Sequence, residues 1–143
     1  MLKSLKNIIE LYKFKKIICI GQSAGGYMSI LFGNLLNVNK IVAFVPQINI
    51  YTVHMNKFRY QLIDKYKLLT FKYKNLNILQ PFNVYTKIYT CGDNIDIDQI
   101  NFLNFNDKNL LINYYNKNKN HNIVNEMGKD NYIKLIIDEI NDL

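Results

Sequence analysis

Residues 16–26, with the sequence KIICIGQSAGG, join a short apolar run to a cluster of small residues, and this stretch decides the fold. The run from Lys16 to Ile20 is almost continuously apolar, which is typical of a strand buried on both faces of a parallel sheet. The segment Gly21–Gly26 is rich in glycine and predicts a tight turn. Tyr27 to Leu36 is apolar on most sides and predicts a helix packed against the sheet. We therefore predict a strand, a turn and a helix in direct succession.

The rest of the chain repeats this alternation. Three further apolar runs predict strands at residues 41–45, 84–91 and 110–115. Apolar residues at helical spacing predict helices at residues 2–12, 54–73, 96–103 and 132–140, and polar segments predict loops at 75–83 and 116–122. Strands that alternate with helices form βαβ units, whose strands are parallel. We predict an α/β fold, a three-layer α/β/α arrangement around a parallel sheet of about four strands.

Length and composition indicate one soluble globular domain that spans residues 1–143. The chain has 143 residues, of which 49% are hydrophobic and 20% charged, and these values are ordinary for such a domain. No apolar run approaches the ~20 residues that a membrane-spanning helix needs. The first segment, MLKSLKNIIELYKFKK, mixes lysines into an amphipathic pattern and lacks the apolar core of a signal peptide. We expect a cytoplasmic protein that does not bind membranes.

The net charge of +7 does not by itself predict nucleic-acid binding. Arg59 is the only arginine, whereas proteins that bind nucleic acids favour arginine for its planar, bidentate guanidinium. Lysine, asparagine, isoleucine and tyrosine are abundant together, which is typical of A- and T-rich codons. Cys19 and Cys91 lie in apolar segments and are expected to be free thiols. Because no metal-binding or phosphate-binding spacing occurs, we expect no metal and no cofactor.

Gly21-Gln22-Ser23-Ala24-Gly25 has the form G-x-S-x-G and lies between a predicted strand and a predicted helix. In this context the motif indicates a nucleophile elbow, a sharp turn that exposes a serine hydroxyl at the carboxyl edge of a sheet. Small flanking residues let chain segments approach closely. The amino terminus of the following helix favours negative charge that develops there. Ser23 is therefore the candidate nucleophile.

The segments GQSAGGYMSILFGNLL and KIVAFVPQ resemble the nucleophile region of α/β-hydrolases, in particular small esterase-like members with a G-x-S-x-G-G-Y elbow. In that family the nucleophile is followed along the chain by an acid and then by a histidine. The resemblance implies that Ser23 attacks an acyl carbonyl and that His121, after the fourth strand, transfers the proton. It also implies that the backbone N–H of Ala24 stabilises the oxyanion and that an aspartate after the third strand orients the imidazole.

Several residues compete for the acid and histidine roles. We favour Asp96 as the acid because Gln99 and Leu103 follow it at helical spacing, and Asp98 and Asp93 are the alternatives. The two remaining aspartates are expected to be solvated or to cap a helix. We favour His121 over His54, because His54 precedes the acid segment and breaks the order of the family.

The chain departs from the family at its start. Several strands normally precede the elbow strand, whereas here that strand begins near residue 16 after one helix. The chain thus resembles the C-terminal half of an α/β-hydrolase, and the loop that supplies a second oxyanion N–H has no counterpart. The elbow strand is then expected to lie at an open sheet edge.

Two hypotheses follow from the motif and from this departure. The first is a serine hydrolase that acts on an ester or related acyl bond, with a small-molecule or carbohydrate ester as substrate. The carbohydrate ester is suggested by the resemblance alone. The second is an inactive or incomplete hydrolase-like module whose open sheet edge pairs with a partner chain or with a second copy.

Overall fold

The protein is built on a four-stranded parallel sheet flanked by helices. The computed structural model describes residues 2–50, 72–115 and 121–143. The strands are β1 Ile18–Gln22, β2 Lys40–Phe44, β3 Thr86–Cys91 and β4 Leu110–Tyr115. The helices are α1 Leu2–Tyr12, α2 Ala24–Leu36, α3 Asn94–Ile100, α4 Ile123–Met127 and α5 Lys129–Asn141, with a 3₁₀ helix at Leu76–Leu79. No helix in these three ranges is long and apolar enough to cross a membrane.

The strands lie side by side in chain order, β1-β2-β3-β4, and every neighbouring pair is parallel. One line of paired residues crosses the sheet through Gly21, Ala43, Ile88 and Ile112. Because all four strands run in one direction, their carboxyl ends meet at a single edge. The structure therefore confirms the predicted α/β class with a parallel sheet of four strands.

Each face of the sheet carries its own apolar core, because successive residues of a strand point to opposite faces. On one face, Ile41 and Ile88 pack with Ile30 of α2, and all three are fully buried. On the other face, Val42 and Phe44 are fully buried, and Ile136 of α5 packs against them. Helices on both faces of one sheet give the three predicted layers.

A buried ion cluster fixes α5 to the amino end of the sheet. Glu139 of α5 is 4% exposed, and its carboxylate lies 2.8 Å from Lys40 Nζ and 2.6 Å from Lys87 Nζ. The hydroxyl of Tyr89 donates to the same carboxylate. Burial alone would raise the pKa of Glu139, but the hydrogen bonds from these three side chains hold that pKa below its ordinary value. The cluster thus joins β2, β3 and α5.

Some predicted boundaries are wrong by a few residues. The third strand begins at Thr86 rather than at residue 84, and α3 covers Asn94–Ile100 rather than 96–103. The Asp93 carboxylate accepts the Ile95 N–H at 2.8 Å and starts α3 early. The predicted loop 75–83 contains the 3₁₀ helix, and α4 was not predicted. Most of the predicted helix 54–73 and of the predicted loop 116–122 lies outside the described residues.

Candidate active site

Ser23 occupies the turn between β1 and α2 in a strained backbone conformation. Its φ of 52° and ψ of −115° lie in a region that residues other than glycine seldom adopt, at a cost of about 1–3 kcal/mol. The turn is fixed from two sides. The N–H of Ser23 donates to the carbonyl of Phe44 at 2.9 Å, and its carbonyl accepts the N–H of Tyr27 at 3.0 Å. Neighbouring elements therefore hold this conformation in place.

The glycines around Ser23 do not all serve the same purpose. A Cβ at Gly21 would lie 2.2 Å from the Gly25 carbonyl oxygen, and one at Gly26 would lie 3.0 Å from Pro46 Cβ. Both positions thus require close approach of the backbone. A Cβ at Gly25 would meet nothing within 4 Å. The close approach expected of the small residues around Ser23 is found at Gly21 and Gly26, whereas Gly25 borders open space.

The structure brings Ser23, His121 and Asp96 together at the carboxyl edge of the sheet. The Nδ1 atom of His121 lies 2.6 Å from Asp96 Oδ1, and Nε2 lies 3.4 Å from Ser23 Oγ. Ser23 follows β1, Asp96 lies on α3 after β3, and His121 comes after β4. The parallel topology explains this meeting, because segments that follow parallel strands emerge at the same edge.

Asp96 and His121 differ sharply in how exposed their side chains are. The Asp96 side chain is 2% exposed, whereas the His121 side chain is 46% exposed. An ionised carboxylate can only accept a hydrogen bond, so Nδ1 of His121 carries a proton that it donates to Asp96. In the neutral imidazole, Nε2 then carries the lone pair, and it lies 3.4 Å from Ser23 Oγ. This tautomer is inferred from the hydrogen-bond network.

The other predicted residues have distinct positions. Asp93 is the N-cap of α3, as expected of an aspartate that does not face the histidine. Asp98 lies on the exposed side of α3. His54 lies outside the described residues. Asp96 is thus the aspartate whose carboxylate reaches the imidazole of His121.

Ala24 is the first residue of α2 and is exposed. The first N–H groups of an α-helix have no acceptor within the helix, so this N–H is available to a ligand beside Ser23. The helix is 13 residues long, and its dipole adds partial positive charge at the same place. The turn therefore offers a hydroxyl and a hydrogen-bond donor on consecutive residues.

Asn122, next to His121, was not singled out from the sequence. Its side-chain oxygen accepts the N–H groups of Val124 at 3.1 Å and Asn125 at 3.4 Å, so it caps α4. This capping fixes the backbone immediately after His121. The sequence carried a usable signal, because asparagine before an apolar pair is a common start of a helix.

The two cysteines are free. Cys91 is buried at the end of β3, and burial raises the pKa of its thiol to about 12, with further contributions from the charges of Asp96, Glu126 and Asp93. Burial also raises the pKa of Cys19. Both thiols are therefore protonated at neutral pH and are poor nucleophiles. Within residues 2–50, 72–115 and 121–143, no group of three His, Cys, Asp or Glu side chains could hold a metal ion.

Comparison with known proteins finds a solved structure with a similar fold. No family model matches the sequence. No curated protein matches it either. Among solved structures, the chain is similar to MGS-MChE2, an alpha/beta hydrolase enzyme from the metagenome of sediments from the lagoon of Mar Chica, Morocco. The TM-score is 0.56 at 15% sequence identity, over 99% of this chain and 69% of that chain. The chain therefore has a hydrolase-like fold.

Proposed function

We propose that the protein is a serine hydrolase that acts on an ester or related acyl bond through Ser23, His121 and Asp96. One observation carries the proposal. The imidazole of His121 lies between a buried carboxylate at 2.6 Å and a serine hydroxyl at 3.4 Å. That serine sits on a strained strand-to-helix turn beside the free N–H of Ala24. This arrangement supports the proposal of a nucleophile elbow and a catalytic triad.

The geometry supports a two-step reaction. Ser23 Oγ attacks the carbonyl carbon of the ester while His121 Nε2 takes the hydroxyl proton. The Asp96 carboxylate stabilises the imidazolium, and the N–H of Ala24 donates to the oxyanion. The intermediate collapses to an acyl-serine, and the leaving alcohol takes the proton from Nε2. Water then attacks the acyl-serine while His121 Nε2 takes its proton, and Nε2 gives that proton to Ser23 Oγ as the bond to the acyl group breaks and the carboxylic acid leaves.

The geometry also predicts that the isolated chain is a slow enzyme. The distance of 3.4 Å between Nε2 and Oγ is long for a hydrogen bond, although such contacts often shorten when substrate binds. Among the described residues, Ala24 supplies one oxyanion donor, and a site with one donor in place of two has a kcat lower by about 100- to 1000-fold. We therefore expect measurable reaction with activated esters and weak turnover of unactivated ones. An acetylated sugar is the carbohydrate ester to test first.

The direct test is covalent labelling by a fluorophosphonate, which reacts with activated serines. We expect the wild-type protein to be labelled, Ser23→Ala not to be labelled, and His121→Ala to be labelled far more slowly. Ser4→Ala is the matched control, because Ser4 is exposed on α1, away from the turn. Labelling that persists in Ser23→Ala would contradict the proposal. A wild type that is folded by circular dichroism and unlabelled would support the inactive-module hypothesis instead.

A further inference from the structure

Within residues 2–50, 72–115 and 121–143, the outer edge of β1 presents backbone groups that no neighbouring strand pairs. Asn39 N–H donates to the carbonyl of Ile17, and Ser23 N–H donates to Phe44, both at 2.9 Å. Alternate residues of a strand point their backbone groups to the same side, so odd-numbered residues of this segment face β2. The backbone groups that point outward belong to Ile18, Ile20 and Gln22. Within the described ranges, the sheet has no strand beyond β1.

An apolar groove runs along this edge. Its volume is about 470 Å³, and α1, β1 and α2 form its walls. The lining is almost entirely aliphatic and aromatic, with Ile9, Ile20 and Phe32 among its residues. Helix α1 covers the edge poorly, because none of its residues is buried and Leu11 is 73% exposed. Gly25, whose Cβ position is open, lies at the end of the groove nearest Ser23.

The backbone groups decide what kind of molecule fits this groove. Its volume lies within the range of small-molecule pockets, so an apolar ligand such as an acyl chain would fit by size. Such a ligand would exclude water from the N–H and C=O groups of Ile18 and Ile20 without replacing the lost hydrogen bonds, which is unfavourable. An extended polypeptide segment supplies both apolar side chains and backbone hydrogen bonds. The chemistry of the edge therefore favours an added strand.

The positive charge beside the groove favours a segment of another protein over a second copy of this chain. Residues 2–17 contain five lysines and one glutamate, Glu10, which gives this border of the groove a net charge of +4. The sequences of β1 and α2 contain no charged residue. Two copies paired through this edge would bring these lysines together, and like charges at close range oppose association. An acidic segment would pair with them.

We propose that the open edge of β1 binds an extended, acidic polypeptide segment of another protein, which adds a strand to the sheet. The apolar side chains of the segment occupy the groove, and its carboxylates face the lysines of α1, such as Lys6 and Lys13. The proposal is independent of the hydrolase activity, because no residue of the candidate triad takes part in the contact.

Amide hydrogen exchange on the whole protein, followed by NMR, tests the proposal. In the free protein, the amides of Ile18, Ile20 and Gln22 should exchange quickly, whereas those of Cys19 and Gly21 are protected. The probe is a short, blocked peptide of alternating glutamate and isoleucine. We expect it to protect the three outward amides by at least about tenfold. The control is the same peptide with every backbone amide N-methylated, which keeps its charge and loses its donors, and it should not protect them.

Charge variants complete the design. Lys6→Glu with Lys13→Glu should weaken binding of the peptide by about tenfold, because both lysines are exposed and each is next in sequence to a residue that lines the groove, Leu5 and Phe14. Lys108→Glu, an exposed lysine in the turn before β4, should leave the binding unchanged. Absence of protection at millimolar peptide would overturn the proposal. A dimer that forms with rising protein concentration and protects the same amides without peptide would also overturn it. So would binding of phosphatidylserine vesicles, but not of the peptide, at this edge.

Discussion

Asp96→Asn isolates the contribution of a single buried charge. Asparagine has nearly the same volume as aspartate, so the substitution keeps the packing of a side chain that is 2% exposed. It removes the charge 2.6 Å from His121 Nδ1 that would stabilise an imidazolium. If the new amide turns its NH₂ group toward Nδ1, the histidine must also shift its proton to Nε2, and Nε2 can then no longer accept the proton of Ser23.

The magnitude follows from the triad chemistry. Loss of the correct tautomer and of the stabilising charge lowers kcat by about 10⁴ in triads of this kind. This factor corresponds to about 5.4 kcal/mol of transition-state stabilisation, at 1.36 kcal/mol for each factor of ten. Since the His121 side chain is 46% exposed and water screens part of the charge, we expect a somewhat smaller effect, about 10³-fold.

The assay is the second-order rate of fluorophosphonate labelling, supported by hydrolysis of p-nitrophenyl acetate. Two matched controls lie on the same segment. Asp98→Asn removes an exposed carboxylate, and Asp93→Asn keeps a side chain that caps helices as well as aspartate does. Both should retain activity within a few-fold. If Asp96→Asn retained activity within tenfold of wild type, or if Asp98→Asn were the more damaging change, Asp96 would not be the acid.

Two further predictions concern stability. Glu139→Gln should lower the free energy of unfolding by about 3 kcal/mol at pH 7 in urea titrations, since it removes the buried carboxylate that Lys40 and Lys87 share and leaves Lys40 paired with the exposed Asp142 alone. Folding lowers the pKa of Glu139 below 4.5, so its contribution is complete at neutral pH and disappears as pH falls through the folded-state pKa. This explanation would be contradicted if the difference in unfolding free energy between Glu139→Gln and wild type stayed the same at acidic pH. Gly21→Ala should destabilise by about 1–3 kcal/mol, whereas Gly25→Ala should be neutral or stabilising by up to about 1 kcal/mol. Equal losses in both variants, measured by thermal unfolding, would show that the space beside Gly25 is not open.

The sequence was informative about the fold wherever the signal was local. The apolar run of β2 predicted a buried strand from residue 41, but the strand begins at Lys40, and lysine seldom lies in a core. Lys40 is buried because Glu139 pairs with it from the far end of the chain. Such a pairing has no signature in local periodicity. The ion cluster of Glu139 therefore could not be predicted from the sequence.

The candidate site could likewise be predicted only in part, where the signal was local. The G-x-S-x-G motif located Ser23 from local sequence, and the parallel topology then places the segments after β3 and β4 at the same edge. Which aspartate faces His121 depends on how α3 packs, since Asp93 and Asp96 both follow β3 within one short segment. The sequence therefore left three aspartates open, and the structure distinguishes Asp96 by its distance of 2.6 Å from His121 Nδ1. The roles of these residues in catalysis stay predictions.

The strictly sequential strand order has a consequence for how the protein is made. Chains fold from the amino terminus during synthesis, so β1, α2 and β2 can assemble while the later segments are still on the ribosome. The backbone hydrogen bonds of the strained Ser23 turn come from α2, from β2 and from Gln47 just after it, so the turn can form early. Asp96 arrives with β3, and His121 follows β4. We expect Ser23 to be unreactive in a chain that ends before His121. Labelling of Ser23 by a fluorophosphonate should therefore appear only after β4 and His121 have been synthesised.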